Sequence, residues 1–450
     1  MTDKFDLLVI GAGVAGMAAA TKSSSQGRRV AIVDALPYGG TCALRGCDPK
    51  KILRRGAEIV DAARLLKGKG IDGDQLTINW ADLMKHKHGF TDPVPKNMEE
   101  HLRSQGVTTL HGEAAFTDDT HVDIDGSIYE ASNILIATGA RPRELDFPGH
   151  EHLIDSTDFL NLPNLPPRIA FIGGGLVSFE FAHIAARAGS SPVILDRGDI
   201  PLKEFDPDLV ELLLKRGETA GVHVRRNTKI VSVVKIPQGF QITVQRGEET
   251  TTIETDLVVH GAGRVPDLTR MSLDAGVVAY GDRGITVLGH LQSTTNPHVY
   301  AAGDSADTPG MPLTPVAVFE AKVAASNMLK SDKITPDYRA IPAAVFTIPE
   351  LVRVGMLEHD ARAEGFNVDV RYSDTSGWYS NYRIGETAGA TKILIDKNTD
   401  LIIGAHLFGH HYSEVANTIS LAMKHGLTTK QLRSTTAVYP SIGGDLAAML

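Results

Sequence analysis

The sequence predicts an α/β fold with two Rossmann-like dinucleotide-binding units, followed by an α+β segment from about residue 337. Three observations carry this. A strand, glycine turn, helix and strand succeed one another near the N-terminus, the same succession returns at residue 168, and the patterning becomes strand-rich beyond Tyr338. In the first unit residues 5–10 (FDLLVI) are an apolar run and Gly11-Ala-Gly13-Val-Ala-Gly16 is the turn. A helix is expected over 17–26 and a second strand over 30–33, ending at Asp34. The glycines permit a tight turn, close approach of backbone to a pyrophosphate, and close helix–strand packing. The helix N-terminus offers free N–H groups and a positive dipole end to phosphate. Asp34, 23 residues past Gly11, stands where a ribose-binding acid belongs. The second unit has a strand at 168–172, the turn Gly173-Gly-Gly175-Leu-Val-Ser178, a helix at 179–188 and a strand at 192–195. It ends at Asp196, again 23 residues past its first glycine. Ser178 is small enough for the third glycine position. One such fingerprint is a weak signal; two in full context at matching spacing are a strong one. Two dinucleotides on one chain suggest a flavin enzyme fed by a nicotinamide.

At 450 residues the chain has room for about three domains. Its net charge of −9, with no basic run, argues against a nucleic-acid surface. No stretch of about 18 uninterrupted apolar residues suggests a membrane span. The start, Met-Thr-Asp-Lys-Phe-Asp, has no basic n-region, so the chain reads as unprocessed and cytoplasmic.

The two cysteines, Cys42 and Cys47, lie in Gly39-Gly40-Thr41-Cys42-Ala-Leu-Arg45-Gly46-Cys47-Asp48-Pro49-Lys50-Lys51. A zinc site of about four ligands would need further cysteines, and the chain has none, so no metal site is expected. Gly46 and Pro49 suggest a tight turn that brings the sulfurs to bonding distance, and a redox pair is the better reading.

With this block the chain resembles the pyridine nucleotide–disulfide oxidoreductases, the family of glutathione reductase, dihydrolipoyl dehydrogenase and mercuric reductase. The resemblance covers essentially the whole chain, and the Gly-Gly-Thr-Cys-x₄-Cys-x-Pro-Lys block is very specific for it. It implies that Cys42 attacks substrate and that Cys47 faces the flavin as a charge-transfer thiolate. Lys50 would sit beside flavin N5, paired with the glutamate seven residues past Gly173, which is Glu180. Further segments match in order. Thr138-Gly139 lies in the crossover strand out of the first domain, and Gly261-Ala-Gly263-Arg264-Val-Pro266 in the return crossing. Asp304 would hold the ribityl chain, and Leu313-Thr314 would run under the isoalloxazine. Gly112 and Ala114 would lie near the adenine, with Gly40 and Thr41 also on the FAD. The resemblance divides the chain into an FAD domain (1–150 and 267–336), a nicotinamide domain (151–266) and a dimerisation domain (337–450). It implies a homodimer in which each subunit completes its partner's active site.

The match fails near the C-terminus. Where disulfide reductases of the family carry a His-Pro base followed by a glutamate, this chain has Val438-Tyr439-Pro440-Ser-Ile-Gly-Gly444-Asp445. Tyr439 replaces the histidine, and the acid comes one residue late. A phenol ordinarily titrates near pH 10 and a histidine near 6.5, so Tyr439 donates a hydrogen bond rather than serving as a base. Asp445, His410 and His411 are the substitute bases the sequence leaves open. Arg45 would lower a thiol pKa, with Asp48 as its neutralising neighbour. Thr21 stands where glutathione reductases bind substrate through an arginine, which disfavours glutathione. Mercuric reductase also has the tyrosine, but it hands over metal through a C-terminal cysteine pair that this chain lacks.

For the nicotinamide, Asp196 favours the 2′-hydroxyl of NADH, while Arg197 and Lys203 fall where NADPH-using relatives place a basic pair. Two cations outweigh one acid, so NADPH is expected. The leading expectation is an NADPH- and FAD-dependent reductase of a small, disulfide-like acceptor. The alternatives are a metal-ion or quinone reductase and a redox-sensing flavoprotein.

Overall fold

The computed structural model describes residues 3–73 and 75–450, which form two compact units. The first comprises the chain up to Lys51, Lys85–Glu144 and Gly263–Tyr338. The second comprises Ile52–Met84, Leu145–Ala262 and Arg339–Leu450.

At the centre of the first unit is a five-stranded sheet in the order Val299–Ala301, Ile134–Ile136, Leu7–Ile10, Val30–Asp34, Thr108–His111, every pair parallel. Because side chains alternate along a strand, a parallel sheet covered on both faces needs apolar residues at every position. Leu7–Ile10 is buried throughout. Leu7 and Val9 join one core, with the alanine-rich helices Val14–Ser24 and Thr314–Asn327, while Leu8 and Ile10 join another, with Phe116 and Val122. Residues 5–10 are therefore not one strand: Asp3–Phe5 belongs to a separate four-stranded sheet, and the chain changes sheet at Asp6. The first helix begins at Val14, three residues before the expected 17, because only the beginning of the glycine turn departs from helical geometry. Gly11 has φ +105°, whereas Gly16 is already helical, and a Cβ on it would strike the Gly11 carbonyl. The two crossing segments pair with each other as antiparallel strands, Ala140–Pro142 against Arg264–Pro266.

The second unit contains a four-stranded parallel sheet (His223–Arg225, Ser191–Leu195, Arg168–Ile172, Leu257–His260) and a three-stranded antiparallel sheet spanning 229–255. The helix Leu176–Arg187 follows Arg168–Ile172 directly, and ten of its residues are buried. Beyond 339 lies a five-stranded antiparallel sheet, with strands Pro342–Val345, Glu350–Gly355, Leu401–Gly409, Ala390–Asp396 and Val368–Asp374 in that order. The helix Tyr412–Lys424 packs on it through Tyr412, Val415, Ala416 and Ile419. No helix among the described residues is long and apolar enough to cross a membrane.

Candidate active site

In the first unit the glycines make a cradle that side chains would fill. A Cβ on Gly11 would meet the Ala137 carbonyl, and one on Gly40 (φ +62°) would lie 2.5 Å from the Cα of Gly13. Asp34, at the end of its strand, accepts the Ala12 N–H at 2.7 Å and the Leu36 N–H at 2.8 Å, so its carboxylate braces the turn. The Thr138 hydroxyl is buried with no hydrogen-bond partner among the described residues, and a Cβ on Gly139 would meet open space. Gly112 has φ +137° and lies against Asp125, just before the strand Ala114–Phe116. Burial raises the Asp304 carboxyl above the usual range, although Arg264 pulls it the other way. A buried carboxylate that sequence reading missed, Glu320, ties this region together. It accepts the Gly303 N–H and the hydroxyls of Thr308 and Tyr338, each at 2.7 Å. Its sequence signal is slight, a single acid in an alanine-rich helix.

Both cysteines are free thiols. Thr41–Arg45 is one wide turn of π-helix, Gly46 follows, and Cys47 opens the helix Cys47–Leu65. Pro49 therefore lies not in a tight turn but in the first turn of a helix, where its missing N–H costs nothing. Thr314, the first residue of its own helix behind the extended Leu313, donates to Cys42 Sγ at 3.3 Å and lies 3.7 Å from Cys47 Sγ. The two thiols are driven apart in acidity. Cys47 is lowered to about 6, chiefly because Cys42 donates a hydrogen bond to its sulfur; Lys50, Thr314 and Lys51 add to the effect. Cys42 is pushed up by that same bond and by burial. A helix N-terminus also favours a thiolate at Cys47. The cations Lys50 and Lys51, one turn into the helix, lower Cys47 further. Lys50 is itself buried.

In the second unit Gly173 has φ +102°, and a Cβ there would lie 2.6 Å from the Cα of Ala262. Gly175 immediately precedes the helix Leu176–Arg187. The buried Ser178 hydroxyl occupies the space that Gly261 leaves. Asp196 lies against Gly174, where a Cβ would strike its carboxylate. Arg197 and Lys203 are exposed, and the Leu202 N–H donates to the Gly174 carbonyl at 2.9 Å, which folds the 201–203 segment back toward the turn. Gly263, with φ +107°, belongs to the first unit. Glu180 is buried and accepts the Phe346 N–H at 3.0 Å.

Of the substitute bases, His410 is engaged by a buried carboxylate. His410 Nε2 lies 3.0 Å from Glu386, which Arg216 also holds at 3.0 Å. Asp61, Glu386 and His410 are spaced closely enough to ligate a metal, but Arg187 and Arg216 already meet that charge. Asp445 has one buried oxygen with no partner among the described residues, and its charge adds to burial in pushing the Tyr412 phenol above its ordinary value. Tyr439 is 83% exposed.

Residues 5–321 match the family described as pyridine nucleotide-disulphide oxidoreductase, and residues 341–449 match that family's dimerisation domain. The chain belongs to the pyridine nucleotide–disulfide oxidoreductases. A glutathione reductase of Nostoc sp. is 29% identical over 461 aligned residues, covering all of both chains. A dihydrolipoyl dehydrogenase of Bacillus subtilis is 30% identical, covering 97% of this chain and 94% of its own. Among solved structures, the Cu(II) complex of the HOCl-induced flavoprotein disulfide reductase RclA from Escherichia coli aligns with a TM-score of 0.88. It has 24% identity and covers 100% of this chain and 99% of its own, which establishes likeness of fold.

As a member of this family the protein is a flavoprotein oxidoreductase that uses FAD and a nicotinamide nucleotide and pairs as a homodimer. Its own residues fit a dinucleotide: the glycine cradle would be filled by any side chain, the buried Thr138 hydroxyl has no partner among the described residues, and desolvation raises the half-buried Asp304 carboxyl. When bound, FAD relays two electrons between nicotinamide and disulfide.

Proposed function

We propose that this protein uses NADPH to reduce the Cys42–Cys47 disulfide and passes the two electrons to a small, disulfide-like acceptor. The single observation that carries this is the placement of the pair, with Cys47 opening a helix and Thr314 lying 3.3 and 3.7 Å from the sulfurs of Cys42 and Cys47, an arrangement that holds Cys47 down at about 6. Two electrons and one proton convert the disulfide into the Cys42 thiol and Cys47 thiolate that this geometry favours. Cys42 then loses its proton and attacks an acceptor R–S–S–R, expelling RS⁻ and forming a mixed disulfide. Cys47 attacks the Cys42 sulfur and expels the second RS⁻, which restores the pair; with protons taken up, two RSH leave. Lys50 and Glu180 serve the nicotinamide half of the cycle. Gly11, Gly13, Gly16, Asp34, Thr138, Gly139 and Asp304 hold FAD; Gly173, Gly175, Asp196, Arg197 and Lys203 hold the nucleotide. The division into 1–150 with 267–336, 151–266 and 337–450 follows from these roles.

Tyr439, from the partner subunit, donates a hydrogen bond to the departing sulfur in place of a histidine base. General acid–base assistance is typically worth about 10²–10⁴-fold, so turnover of glutathione disulfide is expected to be slow. Preference for NADPH draws on exposed Arg197 and Lys203 beside the folded-back 201–203 segment.

A second reading, reduction of a metal ion, is favoured by the structural neighbour RclA, which was solved as a Cu(II) complex. The Cys42–Cys47 dithiol is a soft ligand pair, and its oxidation by two Cu(II) would give the disulfide, two Cu(I) and two protons. Anaerobic titration with NADPH and, separately, NADH tests the main reading. A long-wavelength band after about two electrons per flavin is expected, with NADPH the better reductant. Flavin bleaching without that band would leave a diaphorase. Cys42→Ala then sorts the acceptors, abolishing disulfide and copper turnover while sparing direct quinone reduction.

A further inference from the structure

Besides Ser178, the helix Leu176–Arg187 carries three buried polar side chains at 180, 183 and 187, spacings that place them on one face. All three reach the segment 346–350, which links the strands Pro342–Val345 and Glu350–Gly355. Glu180 accepts the Phe346 N–H at 3.0 Å, His183 Nδ1 accepts the Ile348 N–H at 3.1 Å, and Arg187 donates to the Ile348 carbonyl at 3.0 Å. Arg54 donates to the carbonyls of Phe346 and Thr347 at 2.8 and 3.0 Å. The polar backbone of this segment is therefore held by side chains, as buried peptide groups require.

His183 has a restricted role here. Its Nδ1 faces the Ile348 N–H and also Arg187 Nη1 at 3.3 Å, so that nitrogen carries a lone pair and the ring proton sits on Nε2. Nε2 is buried with no partner among the described residues. Burial, with Arg187 and Arg216 nearby, keeps the ring neutral. A ring that leaves one nitrogen unsatisfied is worse than an apolar side chain unless its other nitrogen is needed.

We propose that His183 is a positioning residue for Glu180. By fixing the Ile348 N–H it fixes, two residues back, the Phe346 N–H that aims the Glu180 carboxylate. The inference rests on the role proposed above for Glu180 in flavin reduction by the nucleotide.

The test uses the FAD-loaded dimer and two readouts: single-turnover flavin reduction by NADPH, and backbone amide exchange of the peptide covering 344–350. His183→Leu removes the acceptor. His183→Asn places an amide oxygen where Nδ1 was, whereas His183→Gln reaches only toward Nε2. Misplacement by about 1 Å costs on the order of 10²-fold, so H183L is expected to slow flavin reduction by roughly 10–100-fold. The NADPH concentration for half-saturation should stay within about threefold, because the lost contact lies away from the nucleotide-binding turn. Exchange at 346–348 should rise. H183N should recover both readouts to within about threefold and H183Q neither, and Glu180→Gln combined with H183L should be no slower than E180Q alone. Wild-type reduction in H183L, equal behaviour of H183N and H183Q, or multiplying E180Q and H183L effects would overturn the proposal. If H183L does not fold, the contrast between H183N and H183Q decides. Wild-type reduction in E180Q would overturn the role of Glu180 itself; a normal E180Q defect with no H183L defect overturns only that of His183.

Discussion

The chemistry proposed for this protein turns on two sulfurs that differ only in surroundings. Cys47 starts a helix, receives a hydrogen bond from Cys42, and has Lys50 and Lys51 a turn away; Cys42 gives that bond and is half-buried. Thr314 touches both sulfurs from a helix that the chain reaches some 270 residues later. The thiolate should therefore persist above pH about 6 and protonate as pH falls through that value. In the two-electron-reduced enzyme the long-wavelength band should fade with a midpoint near pH 6, and Thr314→Val, which removes one of the groups lowering Cys47, should move that midpoint upward. Spectra recorded from pH 5 to 9 check both. A band independent of pH in that window would mean that Cys47 is not the group responsible.

Among elements, helices are joined by buried charge as well as by apolar contact. Asp61 accepts from Arg187 at 2.8 Å and from Arg216 at 2.8 Å, and Arg216 continues to Glu386, which also holds His410. Burial alone would raise Glu386, but His410 and Arg216 bring it down to about 2. Its contribution to stability is therefore complete above the unfolded carboxylate value of about 4.3 and is lost as pH falls through about 2. Removing one partner of a buried pair leaves the other uncompensated, so Glu386→Ala should cost about 3–5 kcal/mol at neutral pH. Thermal unfolding of the holoenzyme should show a lower midpoint and a shallower dependence on pH between about 4 and 2. None of this network was legible in the sequence. The bonds from Arg187 and Arg216 to Asp61 and Glu386 span 126 to 170 residues, and an isolated Asp or Arg in a helix reads as a solvated face until its partner is placed. The glycine turns, by contrast, were legible because their constraint is local: Gly11 and Gly173 need positive φ, and the helices after them must begin there. Local punctuation also misled. Pro49 suggested a turn yet sits inside a helix, because proline is equally at home in either place.

For the whole molecule, the decisive question is which subunit's Tyr439 serves which pair of cysteines. The side chain is 83% exposed on its own chain, on the segment after Arg433 that ends this dimerisation domain, and its chemistry needs a sulfur to act on. If Tyr439 acts across the dimer, an inactive homodimer and a slowed one complement each other. Consider a heterodimer of Cys42→Ala and Tyr439→Phe chains, isolated through two different affinity tags after co-expression. One site combines the missing sulfur with the missing phenol, while the other has Cys42 from one chain and Tyr439 from its partner, both intact. With bis(2-hydroxyethyl) disulfide as acceptor and NADPH as reductant, the C42A homodimer should be inactive. The Y439F homodimer should be slowed by at least about tenfold, the low end of what a positioned proton donor supplies. The heterodimer should then recover about half the wild-type rate per dimer, because one site of two is whole. A tyrosine serving its own subunit predicts the opposite. Each site would then carry one lesion, and the heterodimer would turn over no faster than half the Y439F homodimer.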